Sequence, residues 1–159
     1  MAGAERLFAA ALALSPAALS DEEHVSVRYS YGALCEQRGQ EGDRARAHEL
    51  YTAALALAPG DAHVLNRLAL LERAHGNRTQ AALVLFERAL ASDPAHTHAL
   101  ANYALLLEDE GRQGEAYACL RRAARLAPDD ADALCNLGHF EHTVLRRRLR
   151  APPRSDTCM

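Results

Sequence analysis

The sequence predicts an all-α chain, a solenoid of stacked antiparallel helix hairpins, and three observations carry that prediction. Ala, Leu, Arg and Glu, all strong helix formers, dominate 159 residues that are 49% hydrophobic and 5% aromatic, a balance that suits one compact domain. No run alternates with period two for long enough to read as a strand. Apolar residues instead recur at helical spacing, and the pattern returns every 34 or 35 residues.

The clearest unit is 97–130, THALANYALLLEDEGRQGEAYACLRRAARLAPDD. Leu100, Tyr103 and Ala104 fall at i, i+3 and i+4, so they share one face of a first helix. Gly111 breaks the pattern. Ala116, Leu120, Ala123 and Ala124 then define the face of a second helix, which Pro128 stops. Two short helices and a tight turn make an antiparallel hairpin that buries only one side by itself.

The marks recur upstream. Tyr31, Leu34, Cys35, Gly42, Ala47, Tyr51, Ala54 and Pro59 match the unit at an offset of 69. Leu65, Leu68, Ala69, Gly76, Ala82, Phe86, Ala89 and Pro94 form the copy between them, with one extra residue between Gly76 and Ala82. Leu134, Leu137 and Gly138 open a fourth unit, whereas Phe8, Ala11, Leu12 and Pro16 read as the closing half of a unit that lacks its first helix. The expected organisation is therefore a closing helix in 1–18, an acidic connector in 19–27, repeats at 28–61, 62–96 and 97–130, the first helix of an incomplete repeat in 131–150, and a disordered tail in 151–159.

This period, with a large residue, L-x-x-L-small, G, A, aromatic or Leu, A and P at fixed offsets, resembles the tetratricopeptide repeat (TPR) across about residues 3–145. The resemblance implies a right-handed α-solenoid whose first helices line a concave groove. Two departures stand out. The usual Trp is replaced by Tyr31, Leu65, Leu100 and Leu134, and a later aromatic by Arg38, Glu72, Leu107 and Glu141, which should loosen the packing of individual repeats. The small residues Cys35, Ala69, Ala104 and Gly138, with Ala54, Ala89 and Ala123, should let paired helices approach closely.

The remaining stretches add little chemistry. The apolar run LFAAALAL near the N-terminus superficially resembles a signal peptide, but Glu5 precedes it and Ser15-Pro16 ends it in repeat phase; it is too short to span a bilayer. In the connector, Ser20 or Asp21 is a candidate helix cap, and His24 is assigned no role. Residues 141–159 hold five Arg against one Glu and one Asp; from a whole-chain net charge of −3 this leaves −6 on residues 1–140. No aromatic residues interleave with those arginines, so nucleic acid is not an expected partner. Cys35, Cys119, Cys135 and Cys158 show no C-x-x-C spacing, which favours a reducing compartment and a cytoplasmic location.

What the resemblance implies for function is peptide or protein binding. The groove face expected from the first helices includes Tyr29, Ala33 and Glu36, then His63, Arg67, Leu70 and Arg73, then His98, Asn102, Leu105 and Glu108, and finally Asp132, Asn136, His139 and His142. Such a polar face with interspersed leucines suits an extended peptide or a partner helix. The carboxylate clamp of chaperone-binding members needs lysine, and this chain has none; Asp132 also stands where a clamp cation would be. Asn102 and Asn136 instead match a two-rung asparagine ladder similar to that of O-linked N-acetylglucosamine transferase, each amide offering a donor and an acceptor to a peptide backbone.

Cys135, His139 and His142 share one helix face, with His98 as a candidate fourth ligand, yet groove lining is the preferred reading and no metal or cofactor is expected. There is no H-E-x-x-H, G-x-S-x-G or phosphate-cradling loop, and Asp129–Asp130 and Glu108–Glu110 fall at helix starts and solvent faces, so no enzyme activity is expected. The reading is an interaction scaffold with a protein or peptide partner and no small-molecule substrate. The alternatives are a regulatory or substrate-docking arm of a larger transferase-like protein, and a structural element that forms homo-oligomers through its incomplete fourth repeat. The hairpin itself is testable: Ala104→Trp should overpack the helix pair and cost about 1–3 kcal/mol in a thermal or chemical melt.

Overall fold

The computed structural model describes residues 2–13, 19–74 and 78–150. These form eight helices, α1 (Ala2–Ala13), α2 (Asp21–Arg38), α3 (Asp43–Leu57), α4 (Ala62–Ala74), α5 (Thr79–Ser92), α6 (Thr97–Asp109), α7 (Gln113–Leu126) and α8 (Ala131–Arg150), with no strand among the described residues. Pro16, Gly76 and the expected tail at 151–159 lie outside them. No described helix is long and apolar enough to cross a membrane.

Three hairpins, α2–α3, α4–α5 and α6–α7, stack in chain order, with α1 against α2 and α8 against α7. The first helices α4 and α6, and α6 and α8, also touch directly, whereas no two second helices approach to a comparable degree. First helices therefore lie on the inner side of the stack, where neighbours are closest.

Residues at equivalent repeat positions build the core. Tyr31, Leu65 and Leu100 are buried, as are Cys35, Ala69 and Ala104 beside them on the first helices. On the second helices Ala47, Ala82 and Ala116, then Tyr51, Phe86 and Leu120, then Ala54, Ala89 and Ala123, are fully or almost fully buried. Each large side chain so covered contributes about 1.5–3 kcal/mol, and the alanines let the backbones come close enough for that cover. The turns follow from backbone chemistry. Gly42 and Gly111, equivalent in the first and third hairpins, have φ of 84° and 76°, a region that side chains with a Cβ avoid.

Loops after the second helices carry their own signal. Asp61 Oδ1 accepts from the His63 and Val64 N–H groups at 2.9 and 3.0 Å, and Asp130 Oδ1 accepts from those of Asp132 and Ala133 at 2.9 and 3.5 Å. Between them, at the equivalent position, His96 caps α6.

Two expectations are corrected. Residues 21–27 are not a connector but the first two turns of α2. Ser20 and Glu23 form a reciprocal capping box, with Ser20 N–H donating to Glu23 at 2.7 Å and Glu23 N–H to Ser20 Oγ at 3.3 Å. Asp21, Glu22 and Glu23 sit in the first turn, where the helix dipole favours anions, so their acidity marks a helix start rather than a loop. His24 is thereby buried, and its Nδ1 has no hydrogen-bond partner among the described residues. The second correction is Gly138, expected to admit a close partner helix: a Cβ there would meet nothing within 4 Å, because no second helix follows α8 among the described residues.

Close approach occurs instead at Gly32, which the sequence reading passed over. A Cβ on Gly32 would lie 2.5 Å from Tyr51 Cε1 and 2.8 Å from Cζ. Tyr51 cannot swing aside, because its ring is fully buried and its hydroxyl donates to Glu36 at 3.0 Å. Helix propensity alone would make Gly32→Ala stabilising by roughly 1 kcal/mol. The clash reverses the sign, and urea denaturation should show a net loss of about 1–3 kcal/mol.

Candidate peptide-binding groove

Equivalence of repeat positions fixes the inner face. Ala33, Arg67, Asn102 and Asn136 are one set, one residue from each first helix; Tyr29, His63, His98 and Asp132 are a second, a turn nearer the helix N-termini; and Glu36, Leu70, Leu105 and His139 are a third. His63, His98 and His139 are exposed, whereas Arg67, Leu70, Arg73, Asn102, Leu105, Glu108 and Asn136 are half-buried.

Several of these groups already have partners from an adjacent hairpin. Arg67 reaches Glu36 Oε2 at 3.3 Å, and the same oxygen accepts the Tyr51 hydroxyl. Burial pushes the Glu36 carboxyl above its ordinary pKa, opposed by the hydrogen bond from Tyr51 and the charge of Arg67. Arg73 bridges to Asp109 at 2.8 Å. Asn102 Nδ2 donates to Oδ1 of the buried Asn66 at 3.1 Å. The two arginines of the expected face are thus neutralised in place, and one rung of the asparagine pair is half-occupied. No side-chain hydrogen bond among the described residues engages Asn136.

Two hollows lie along the first helices, the first of them also walled by Phe8 of α1. One of about 720 Å³ is lined by Phe8, Tyr29, Ala33, Leu34, Glu36 and Arg67. The other, about 260 Å³, lies between α6 and α8 and includes His98, Asn102, Asp132, Cys135 and Asn136. The first offers aromatic and aliphatic walls beside a paired charge. The second offers amide groups and carboxylates. Cys135, His139 and His142 are exposed along α8, and among the described residues no three His, Cys, Asp or Glu side chains are arranged to hold a metal ion. Arg146 is exposed; the side chains of 147–150 lie outside those described.

The sequence reading missed the partners Asn66 and Tyr51, and also His96. This residue is buried at the edge of the same face. Its Nδ1 accepts the Ala99 N–H at 3.3 Å, which places the ring proton on Nε2, and Nε2 donates to His63 Nδ1 at 3.1 Å. The spacing that yields Asp61 and Asp130 as caps was the available signal, since His96 stands at the same repeat position.

This arrangement is a helical-repeat solenoid with a lined inner face, and comparison with known proteins narrows the class. Residues 75–136 match the family model described as tetratricopeptide repeat. Among curated proteins none matches. Solved structures similar to this chain include the following three. The Thermobaculum terrenum O-GlcNAc transferase is 25% identical with a TM-score of 0.67, over 78% of this chain and 23% of that one. The Aspergillus fumigatus Sgt2 TPR domain is 20% identical with a TM-score of 0.70, covering 85% of this chain and 88% of that one. The first TPR of Spaghetti (RPAP3), bound to the HSP90 peptide SRMEEVD, is 17% identical with a TM-score of 0.70, covering 79% and 99%. The chain spans less than a quarter of the transferase structure and nearly the whole of the two TPR domains. Residues 75–136 thus carry the tetratricopeptide repeat, and the stack as a whole has the fold of TPR domains.

The His96 cap carries a pH dependence. Burial, then the neighbouring His63, lowers the His96 pKa from its ordinary 6.5, with Asp93 acting in the opposite sense and His98 adding to the lowering. Below that ordinary value the unfolded chain takes up a proton that the native chain resists, so stability is present above it and is lost as pH falls. Carboxylates held below their usual range, such as Asp43 beside Arg38, add a separate loss in stronger acid. Lowering the pH from about 7.5 to about 5.5 should lower the melting temperature by a few degrees. His96→Asp, which restores the cap type of its neighbours, should flatten that slope; an unaltered slope would remove the assignment.

Proposed function

We propose that this chain is a non-catalytic protein-interaction scaffold that holds an extended peptide or a partner helix along its inner face. The observation that carries the reading is the pair of hollows on one strip of first helices. Their linings include Arg67 in the first and His98, Asn102 and Asn136 in the second, which supports that reading. A peptide running across them meets an apolar seat at Phe8 and Tyr29, then amides able to pair with its backbone. The similarity to the Sgt2 domain and to the peptide-bound RPAP3 domain supports the fold of such a scaffold. The ligand chemistry differs from a clamp for acidic termini, because the chain has no lysine and Asp132 lies in the second hollow. The three described cysteines, Cys35, Cys119 and Cys135, are free thiols, which suits the proposed cytoplasmic setting.

A second reading, a docking arm of a larger transferase-like protein, is favoured by the 25% identity to the O-GlcNAc transferase. Both readings use the same face. The test is affinity capture of partners from native lysate with wild type and with a His98→Ala, Asn136→Ala variant. These positions are preferable to Arg67 and Asn102, whose removal would strand Glu36 and the buried Asn66. Losing one or two hydrogen bonds should weaken a captured partner about tenfold. Retention of every partner at equal affinity, with matched melts, would move binding off this face.

A further inference from the structure

The two ends of the stack are the two halves of one hairpin. Among the described residues α1 is a second helix with no first helix beside it, and α8 is a first helix with no second helix. Equivalent positions show what each half is missing. Leu134 on α8 corresponds to Tyr31, Leu65 and Leu100, which are 8%, 0% and 1% exposed, but Leu134 is 48% exposed. Leu7 on α1 corresponds to Leu50, Leu85 and Cys119; Leu50 is 5% exposed and the other two are half-buried, whereas Leu7 is 73% exposed. Of the large hydrophobic side chains exposed among the described residues, these two are the most exposed.

Their surroundings match as well. Ala4, Phe8 and Ala11 correspond to the fully buried trios Ala47, Tyr51, Ala54 and Ala82, Phe86, Ala89, yet are only half-buried, covered by α2 on one side alone. Phe8 stacks on Tyr31 at 5.6 Å and leaves its other flank open. Opposite, Gly138 has open space where Cys35, Ala69 and Ala104 receive a second helix.

We propose that a second copy of this chain covers these faces head to tail, with α1 of one copy docking on α8 of another to complete a hairpin. The interior pairs α2–α3, α4–α5 and α6–α7 are the template for that contact. In the joined stack Leu7 and Leu134 take the positions that are buried or half-buried inside the three described hairpins, and α2 of the second copy follows α8 as α8 follows α6. The inner face then runs on from one copy to the next. The contact is heterologous: each docking leaves a free α1 at one end and a free α8 at the other. Assembly is therefore open-ended rather than a closed dimer.

Sedimentation equilibrium on the full chain tests this directly. The weight-average mass should rise continuously with concentration. Leu7→Glu and Leu134→Glu should each remain monomeric, and because both side chains are exposed in the single chain, circular dichroism and melts should match wild type. An equimolar mixture of the two variants retains one good α1 and one good α8, so it should stop at twice the mass of one chain. A wild type that stays monomeric at every concentration, a Leu7→Glu variant that still associates like wild type, or a mixture that stays monomeric would each overturn the proposal.

Discussion

The stack depends on one seam, the contact between each second helix and the first helix of the next hairpin. At equivalent positions this seam pairs Glu5 with Arg38, His48 with Glu72, and Tyr117 with Glu141; in the third copy Leu83 and Leu107 both enter one apolar cluster. These are the sites where the aromatic residue expected of a tetratricopeptide repeat is replaced. The replacements are therefore matched to their neighbours and not simple losses of packing. Burial opposes ionisation of Glu72, but hydrogen bonds from His48 at 2.7 Å and from Arg78 outweigh it and hold its carboxyl below the usual range. An exposed ion pair contributes about 0–1 kcal/mol, so the value of the seam lies more in register than in strength. A buried carboxylate deprived of its partner costs several kcal/mol, roughly 3–5, and that penalty discourages a hairpin from stacking on the wrong neighbour.

The same economy shapes the inner face. Its arginines are neutralised by Glu36 and Asp109 before any ligand arrives, so they orient neighbouring helices more than they offer free charge. On the proposed reading, recognition rests on groups that need no counter-ion: the amide of Asn136, the exposed histidines, the aliphatic side chains of Leu70 and Leu105, and the aromatic walls at Phe8 and Tyr29. Amides donate and accept at once, which suits an extended backbone better than any one side-chain sequence.

The candidate face was legible in the sequence as far as helical phase could carry it. Repeat equivalence places Ala33, Arg67, Asn102 and Asn136 on one strip, because a period of 34 or 35 residues returns each position to the same side of the stack. It was silent on what those residues hold. Asn66 lies 36 residues from Asn102, and Glu36 lies 31 from Arg67, and neither separation is a signal by itself. The capping box at Ser20 was legible in principle, yet three consecutive acidic residues read equally well as a solvated loop until the helix dipole gave them a reason.

What the sequence by itself determined is the hairpin and its repetition. Those follow from local physics: helix propensity, a stripe at helical spacing, a glycine able to adopt positive φ at Gly42 and Gly111, and prolines that stop the second helices. The tertiary structure decided everything that depends on two helices meeting. It made Gly32 a point of close approach under the Tyr51 ring, turned Gly138 from a contact into open space, and put His96 against His63. The physical reason is common to all three. A side chain's position on its own helix is set within a few residues, whereas its environment is set by whichever helix packs against it.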